Sequence, residues 1–171
     1  MNFELRILQS EHTVQFKEDM QIAFQQSAVE GFGAINEQIL PESHIDRSLN
    51  AEGSVAYEAV VGGELVGGAI VVIDKKTQHN YLDFLYVKNG IQSKGIGQAI
   101  WKAIEKLHPE TNVWETCTPY FEKRNIHFYV NKCGFHIVEF FNKWHKDPND
   151  SDDIPMGDYF EGMFRFEKKM K

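Results

Sequence analysis

The chain has 171 residues, the size of one domain at roughly 100–200 residues per domain. It is 42% apolar and 25% charged, with 13 Phe, 6 Tyr and 3 Trp, which supplies a sizeable core and excludes a long disordered chain. Lys and Arg total 18 against 25 Asp and Glu; the formal charge of −7 lacks the basic footprint of nucleic-acid binding and favours cationic small molecules over anionic polymers.

Residues 3–8 alternate apolar and polar side chains, as a short strand does. Phe16, Met20, Ala23, Phe24 and Ser27 follow at helical spacing, and Gly31 and Gly33 are expected to break that helix. Pro41-Glu42 opens a second short helix, with Ile45 and Leu49 one turn apart and proline suited to the first helical position. The periodicity then changes. Residues 54–61 and 64–73 are rich in Val and Ile and join at Gly62-Gly63, the signal of a tight hairpin. A polar turn over 74–80 leads to a third strand over 81–87. Ile96, Ile100, Ala103, Ile104 and Leu107 form one face of a helix that His108-Pro109 ends. A strand over 111–118, a short helix over 125–133 capped by Gly134, and strands over 135–144 and 159–166 complete one mixed α/β domain over residues 1–171. An acidic loop with Asp147, Asp150, Asp152 and Asp153 separates the last two strands, and residues 167–171 read as a solvated tail.

Cys117 and Cys133 are too few for a disulfide framework, lack a C-x-x-C spacing and read as buried apolar thiols. The first residues hold no apolar core of a signal peptide, and no run of about 18 apolar residues occurs, so a cytoplasmic protein that does not enter a membrane is expected. His127, His136 and His145 fall on a helix and at two places along a strand, where they would not converge on a metal; none is expected.

The most informative segment runs from Tyr81 to Trp101: a strand, a turn with two glycines and an amphipathic helix. Gly95 and Gly97 have no Cβ, so a ligand can approach their backbone. The first amides of a helix lack partners within it, and with the positive end of the helix dipole they bind phosphate groups. Lys94 adds a positive charge beside them. Taken alone, a G-x-G also serves as a mere tight connection. The nucleoside-triphosphate loop G-x-x-x-x-G-K-[ST] is absent, and Ile100 stands where a dinucleotide fingerprint needs its third glycine.

The fuller pattern, Val87 and then Gln92-x-x-Gly95-x-Gly97, resembles the acetyl-CoA-binding motif of the GNAT superfamily of N-acetyltransferases. The preceding meander and the segment Asn125-Ile126-His127-Phe128-Tyr129-Val130-Asn131-Lys132-Cys133-Gly134-Phe135 are similar to that superfamily too, so the likeness covers about residues 54–141. It implies a mostly antiparallel central sheet flanked by helices. It implies that Leu85, Tyr86 and Val87 meet a pantetheine arm through backbone groups, in the manner of an added strand. Gln92, Ser93, Lys94, Gly95, Ile96, Gly97 and Gln98 would wrap the pyrophosphate, and Asn125 would join the cofactor site. In the family a tyrosine usually stands four residues before the Gly-Phe pair; here Val130 does, and Tyr129 is one residue earlier. One residue turns a regular helix by about 100°, so Tyr129 fits the family's general acid only if this helix is shorter or distorted, and is otherwise a core aromatic.

Acyl transfer to an amine needs a proton acceptor, donors for the developing oxyanion and a proton donor for the leaving thiolate. Tyr129 is the first candidate for the donor, with Tyr120 behind it. Glu115 matches a base position of some relatives and Asp83 is a second carboxylate; a base acting through water would need neither. The expected activity is acetyl transfer from acetyl-CoA, without a metal, to the primary amine of a small molecule in a ternary complex. The acidic loop at 147–153 would draw in a cationic amine, and it reads equally as a solvated turn. The alternatives are a binding module that holds an acyl-CoA without catalysis, and an enzyme acting on a protein or peptide amine. The apolar strand at 159–166 also suggests pairing with a second subunit in a homodimer.

Overall fold

A computed structural model describes residues 2–91, 94–149 and 162–171. The hairpin at Gly62-Gly63 forms as the sequence predicts: both glycines have positive φ, 58° and 87°, the geometry a two-residue turn between antiparallel strands requires. It joins β2 (Ser54–Val61) to β3 (Glu64–Val72), and β4 (His79–Val87) completes the meander. β1 (Phe3–Ile7) pairs with β2 on the outer side. Beyond β4 lie β5 (Val113–Pro119), β7 (Met163–Lys169) and β6 (His136–Phe141), giving one seven-stranded sheet in the order β1-β2-β3-β4-β5-β7-β6. Every neighbouring pair is antiparallel except β4 and β5.

Helices cover both faces. α3 (Ile96–Leu107) lays Ile96, Ile100, Trp101 and Ile104 against Ala69, Val71, Leu82, Trp114 and Phe166. Trp101 and Trp114 meet edge to face at 5.1 Å, a geometry that aromatic pairs favour. On the other face α1 (Thr13–Phe32) and α2 (Glu42–Asn50) bury Phe16, Met20 and Ile45 against Ile70 and Tyr86. α4 (Lys123–His127) follows β5.

Several expectations are corrected. α1 runs through Gly31, whose missing Cβ lets the helix lie against the Phe121 backbone; only Gly33, with φ of 116°, ends it. Pro41 is the N-cap of α2, extended at ψ 147°, and not its first helical residue. Residues 167–169 belong to β7 and are no solvated tail: Glu167 bonds Arg165 and Lys168 pairs with Glu105. The described part of the last strand, from Met163, is taken up on both edges by β5 and β6 of the same chain, so that stretch cannot pair with another subunit. Cys133 is buried as expected, but Cys117 is exposed.

The link between β1 and α1 is tied down by Glu58, whose side chain is 1% exposed. Arg6 bonds its Oε2 at 3.1 Å, His12 Nδ1 lies at 3.0 Å and the Gln9 N–H donates to Oε1 at 2.7 Å. Burial alone would raise this carboxyl, but these bonds outweigh it and hold it below the usual carboxylate range. We therefore expect Glu58→Ala to cost on the order of 3 kcal/mol of unfolding free energy in urea titrations, the scale of breaking a buried ion pair. The wild-type advantage is present above the unfolded carboxyl value and is lost as pH falls through the lower native one.

Candidate active site

β4 and β5 pair in parallel over three residues each, His79–Tyr81 with Val113–Glu115, and then diverge. Two local features open the split. The register of β4 on β3 slips between Ile70 and Val71, leaving Asp83 as the extra residue of a bulge. Leu82 therefore joins the α3 core, while Phe84 faces α1 and packs against Phe24 at 5.7 Å. At the base of the split, Thr116 Oγ1 donates to the Leu82 carbonyl at 2.9 Å, which replaces a strand-to-strand bond. Beyond that point lies a cleft of about 850 Å³ between Leu82–Val87 and Thr116–Pro119, open toward the start of α3 at one end and toward α1 and α2 at the other.

Gly95 is the N-cap of α3, with φ of 79° and no side chain capping the helix. A Cβ there would meet no protein atom within 4 Å, so the position is open on the ligand side. Gly97 differs. A Cβ would stand 3.2 Å from the Phe128 ring, so this glycine also serves helix packing while it lines the cleft. Ile96 is buried in the core and offers only its backbone. Lys94 is exposed beside the turn, and Gln98 Nε2 donates to the Lys132 carbonyl at 3.2 Å. Leu85 and Val87 pack on the α3 core, and Tyr86 turns its ring to Phe16 at 5.6 Å. Asn125 lines the cleft and donates to Thr118 Oγ1 at 3.3 Å. Gln92 and Ser93 lie outside the described residues, as do Asp150, Asp152 and Asp153 of the acidic loop.

The helix after Asn125 is distorted at the point where the sequence requires it. Residues Phe128–Lys132 form a π turn, with the Cys133 N–H bonding the Phe128 carbonyl five residues back at 3.0 Å. The wider turn absorbs one extra residue. It leaves Tyr129 on the cleft wall, its ring enclosed by Phe128, Phe135 and Phe166, and Thr116 beside its hydroxyl. Burial pushes the phenol well above its ordinary value, so it stays protonated. Tyr120 is exposed and meets Phe121 edge to face at 5.6 Å.

The other end of the cleft is acidic. Glu115 Oε1 takes His79 Nε2 at 2.9 Å and Arg165 at 3.2 Å, and Arg165 also holds Glu139 and Glu167. His79, Glu115 and Glu167 lie close enough to share a metal, but the Arg165 guanidinium already bridges the two carboxylates. Asp83 opens to the cleft yet is surrounded by protein; burial raises its carboxyl, against a hydrogen bond from Ser48 of 2.6 Å. Glu122 is 7% exposed, and burial raises it too, against the Ser27 hydroxyl at 2.7 Å. Cys117 lines this end: water reaches the residue, but the cleft walls around its thiol, with Glu115, push it up to about 12. Sequence reasoning missed Ser27, Ser48 and Glu122; the spacing of Ser48 three residues after Ile45, on the inward face of α2, was the available signal.

A split parallel pair with a bulge on one strand and a glycine-capped helix at its mouth defines a mixed α/β domain with a ligand-sized cleft through its sheet. Residues 7–135 match the model of the Acetyltransferase (GNAT) family, and the chain belongs to that family, whose cosubstrate is acetyl-CoA. It is 47% identical over 163 residues to the uncharacterized protein YrkN of Bacillus subtilis strain 168, covering 92% of this chain and 88% of that one. Its fold is shared with a GNAT acetyltransferase of Elizabethkingia anophelis with acetyl-CoA bound (TM-score 0.71, 15% identity, 99% of each chain). It is shared also with the spermidine N-acetyltransferase of Vibrio cholerae in complex with CoA and spermine (TM-score 0.70, 10% identity, 98% of this chain and 95% of that one). Among the described residues no helix is long and apolar enough to cross a membrane.

The buried Glu122 carries a stability consequence. Its native carboxyl lies above the unfolded value of about 4.3, so stability declines as pH rises through the interval between them. Glu122→Gln keeps an acceptor for Ser27 and removes the charge. It should raise Tm at pH 7.5 in a thermal melt, with the gain vanishing below about pH 4.

Proposed function

We propose that the chain transfers the acetyl group of acetyl-CoA to a primary amine of a small molecule, by direct attack in a ternary complex. The observation that carries this reading is the β4–β5 split, which joins a phosphate-compatible helix start to an acidic chamber through one continuous cleft. Bound acetyl-CoA supplies an activated thioester; the chain supplies position and proton handling. The backbone of Leu85, Tyr86 and Val87 receives the pantetheine amides on the side of β4 that lines the cleft. Residues 94–98 surround the pyrophosphate, where the first-turn amides of α3 and Lys94 favour negative charge. Asn125 borders the same channel from α4.

Tyr129 fits the proton donor for the leaving sulfur. Its hydroxyl is on the cleft wall and remains protonated, which favours catalysis over mere acyl-CoA storage. The face bearing Asp83, Glu115 and Glu122 suits a cation, in keeping with the formal charge of −7 and with the spermine held by the Vibrio cholerae enzyme. The proton of the incoming ammonium leaves toward Glu115 or Asp83 on that face.

Gly95→Val should weaken CoA binding by about tenfold or more in calorimetry while circular dichroism stays native, because the side chain enters open ligand space and φ is left-handed. Equal affinity in a folded variant would remove the pyrophosphate from this turn. Tyr129→Phe should lower kcat by about 10²-fold with CoA affinity retained, read by free-thiol release over an amine panel. Because the phenol stays protonated, the wild-type rate should show no alkaline fall from this residue below about pH 10.

A further inference from the structure

We propose that Ser48 of α2 is a positioning residue for Asp83, and that Asp83 is the carboxylate that takes the proton of the acceptor amine. The inference rests on the acetyltransferase reading and goes beyond it, by choosing between the carboxylates and assigning a role to α2.

The choice follows from hydrogen bonding. Glu115 Oε1 already accepts from both His79 and Arg165, and Arg165 is bound in turn by Glu139 and Glu167. Two donors on one carboxylate oxygen occupy both of its lone pairs, so that oxygen has none left for an incoming N–H. Among the described residues no cation pairs with Asp83. Ser48 Oγ donates to Oδ2 at 2.6 Å, and among the described residues no other hydrogen bond reaches this carboxylate. Oδ1 is thereby left to an incoming N–H. Ser48 itself is 7% exposed, on the α2 face that buries Ile45, so its hydroxyl has little freedom to turn elsewhere. The bulge completes the arrangement: as the extra residue of β4, Asp83 projects on the α1–α2 side of the cleft, clear of the α3 core.

The surroundings favour the same assignment. His44, one turn before Ser48, also borders the cleft, and burial lowers it, so it stays neutral and does not quench Asp83. The remaining titratable groups lining the cleft are Tyr81, Tyr86, Glu115 and Cys117 on the strands, Glu30 on α1, Glu122 before α4, and Arg124, His127, Tyr129 and Lys132 on α4 and the turn after it; Arg124 pairs with Glu30. Arg165 beyond Cys117 is committed to its three carboxylates. Desolvation raises Asp83 toward the range where a carboxylate can accept a proton from an ammonium, and Ser48 limits that rise.

The step balances as follows. The ammonium gives one proton to Asp83 Oδ1 and becomes a neutral amine. The nitrogen lone pair forms the C–N bond and the C–S bond breaks. As the C–N bond forms, Tyr129 gives its hydroxyl proton to sulfur, and the second proton shed by nitrogen returns to the Tyr129 oxygen and restores the phenol. Asp83 releases its proton to water, so one proton is produced per amide and thiol formed.

The test compares the pH dependence of kcat/KM in wild type, Asp83→Asn, Ser48→Ala and Ser48→Thr, using acetyl-CoA and an amine that wild type acetylates, alongside a carbon-13 NMR titration of the Asp83 carboxyl. Asp83→Asn should lower kcat by about 10²-fold or more and remove the acidic limb. Ser48→Ala should shift that limb, and the Asp83 NMR midpoint, upward by about one pH unit, the worth of one hydrogen bond to a charged group. Ser48→Thr should restore both. An Asp83→Asn enzyme with wild-type rate and limb would overturn the assignment of the proton acceptor. Loss of activity in Asp83→Asn with an unmoved midpoint in Ser48→Ala would overturn the role of Ser48 alone. If no amine is turned over by wild type, the acetyltransferase reading fails, and the NMR midpoint still decides whether Ser48 governs Asp83.

Discussion

The separation of β4 from β5 is the constraint on which the rest of this molecule depends. Antiparallel strands can zip along their full length, whereas this parallel pair stops after three residues on each strand. Two things prevent further zipping. The bulge at Asp83 turns the strand, and the Thr116 hydroxyl takes the Leu82 carbonyl that a backbone amide would otherwise claim. Backbone groups beyond that point must find other partners, since leaving polar groups unpaired in a buried setting costs about 1–3 kcal/mol each. An extended ligand with amide groups is one partner that satisfies them.

The two faces of the sheet then divide the work. α3 is welded to its face by Ile96, Ile100, Trp101 and Ile104, so the helix start at Gly95 is rigidly placed relative to β4. The α1–α2 face is different. There Ser27 and Ser48 each aim a hydroxyl at a carboxylate of the cleft, Glu122 and Asp83. Desolvation by the surrounding protein raises both carboxyls, against the single hydroxyl bond that each receives. Glu58 provides the contrast: also buried, but met by Arg6, His12 and a backbone N–H, it is held low and contributes stability. The same residue type thus serves structure or chemistry according to the charge of its partners.

Much of this was legible in the sequence. Apolar spacing places every strand and the three long helices, and the Gly62-Gly63 turn fixes the first hairpin. The Gly95 turn is readable because a left-handed N-cap demands glycine. What was not legible depends on contacts between distant segments. The packing role of Gly97 shows only when Phe128, 31 residues later, is seen against it (128 − 97). The continuation of α1 through Gly31 depends on Phe121. Ser48 is a polar residue on an otherwise apolar helix face, and only the bulge of a strand far along the chain explains it.

The π turn shows how a local misfit becomes a tertiary device. A regular helix from Asn125 would carry Tyr129 about 100° away from the family's tyrosine direction. Extending the α-helix through Val130 would bring that aliphatic side chain toward the cleft in its place. The aromatic packing opposes this. Tyr129 is held by Phe135 at 5.6 Å and Phe166 at 5.6 Å, while Phe128 is wedged against Gly97 of α3. With Phe128 and Tyr129 both fixed by partners on other elements, the surplus residue is taken up where side chains constrain the backbone least. The turn widens over Phe128–Lys132, and the chain returns to β6 through Gly134 at φ of 85°. Such bulges cost helix stability and persist where the surrounding packing over-determines them, which is why they gather at functional sites. Here the packing that enforces the bulge also encloses the Tyr129 ring and leaves its hydroxyl beside Thr116, the residue that holds the base of the split open.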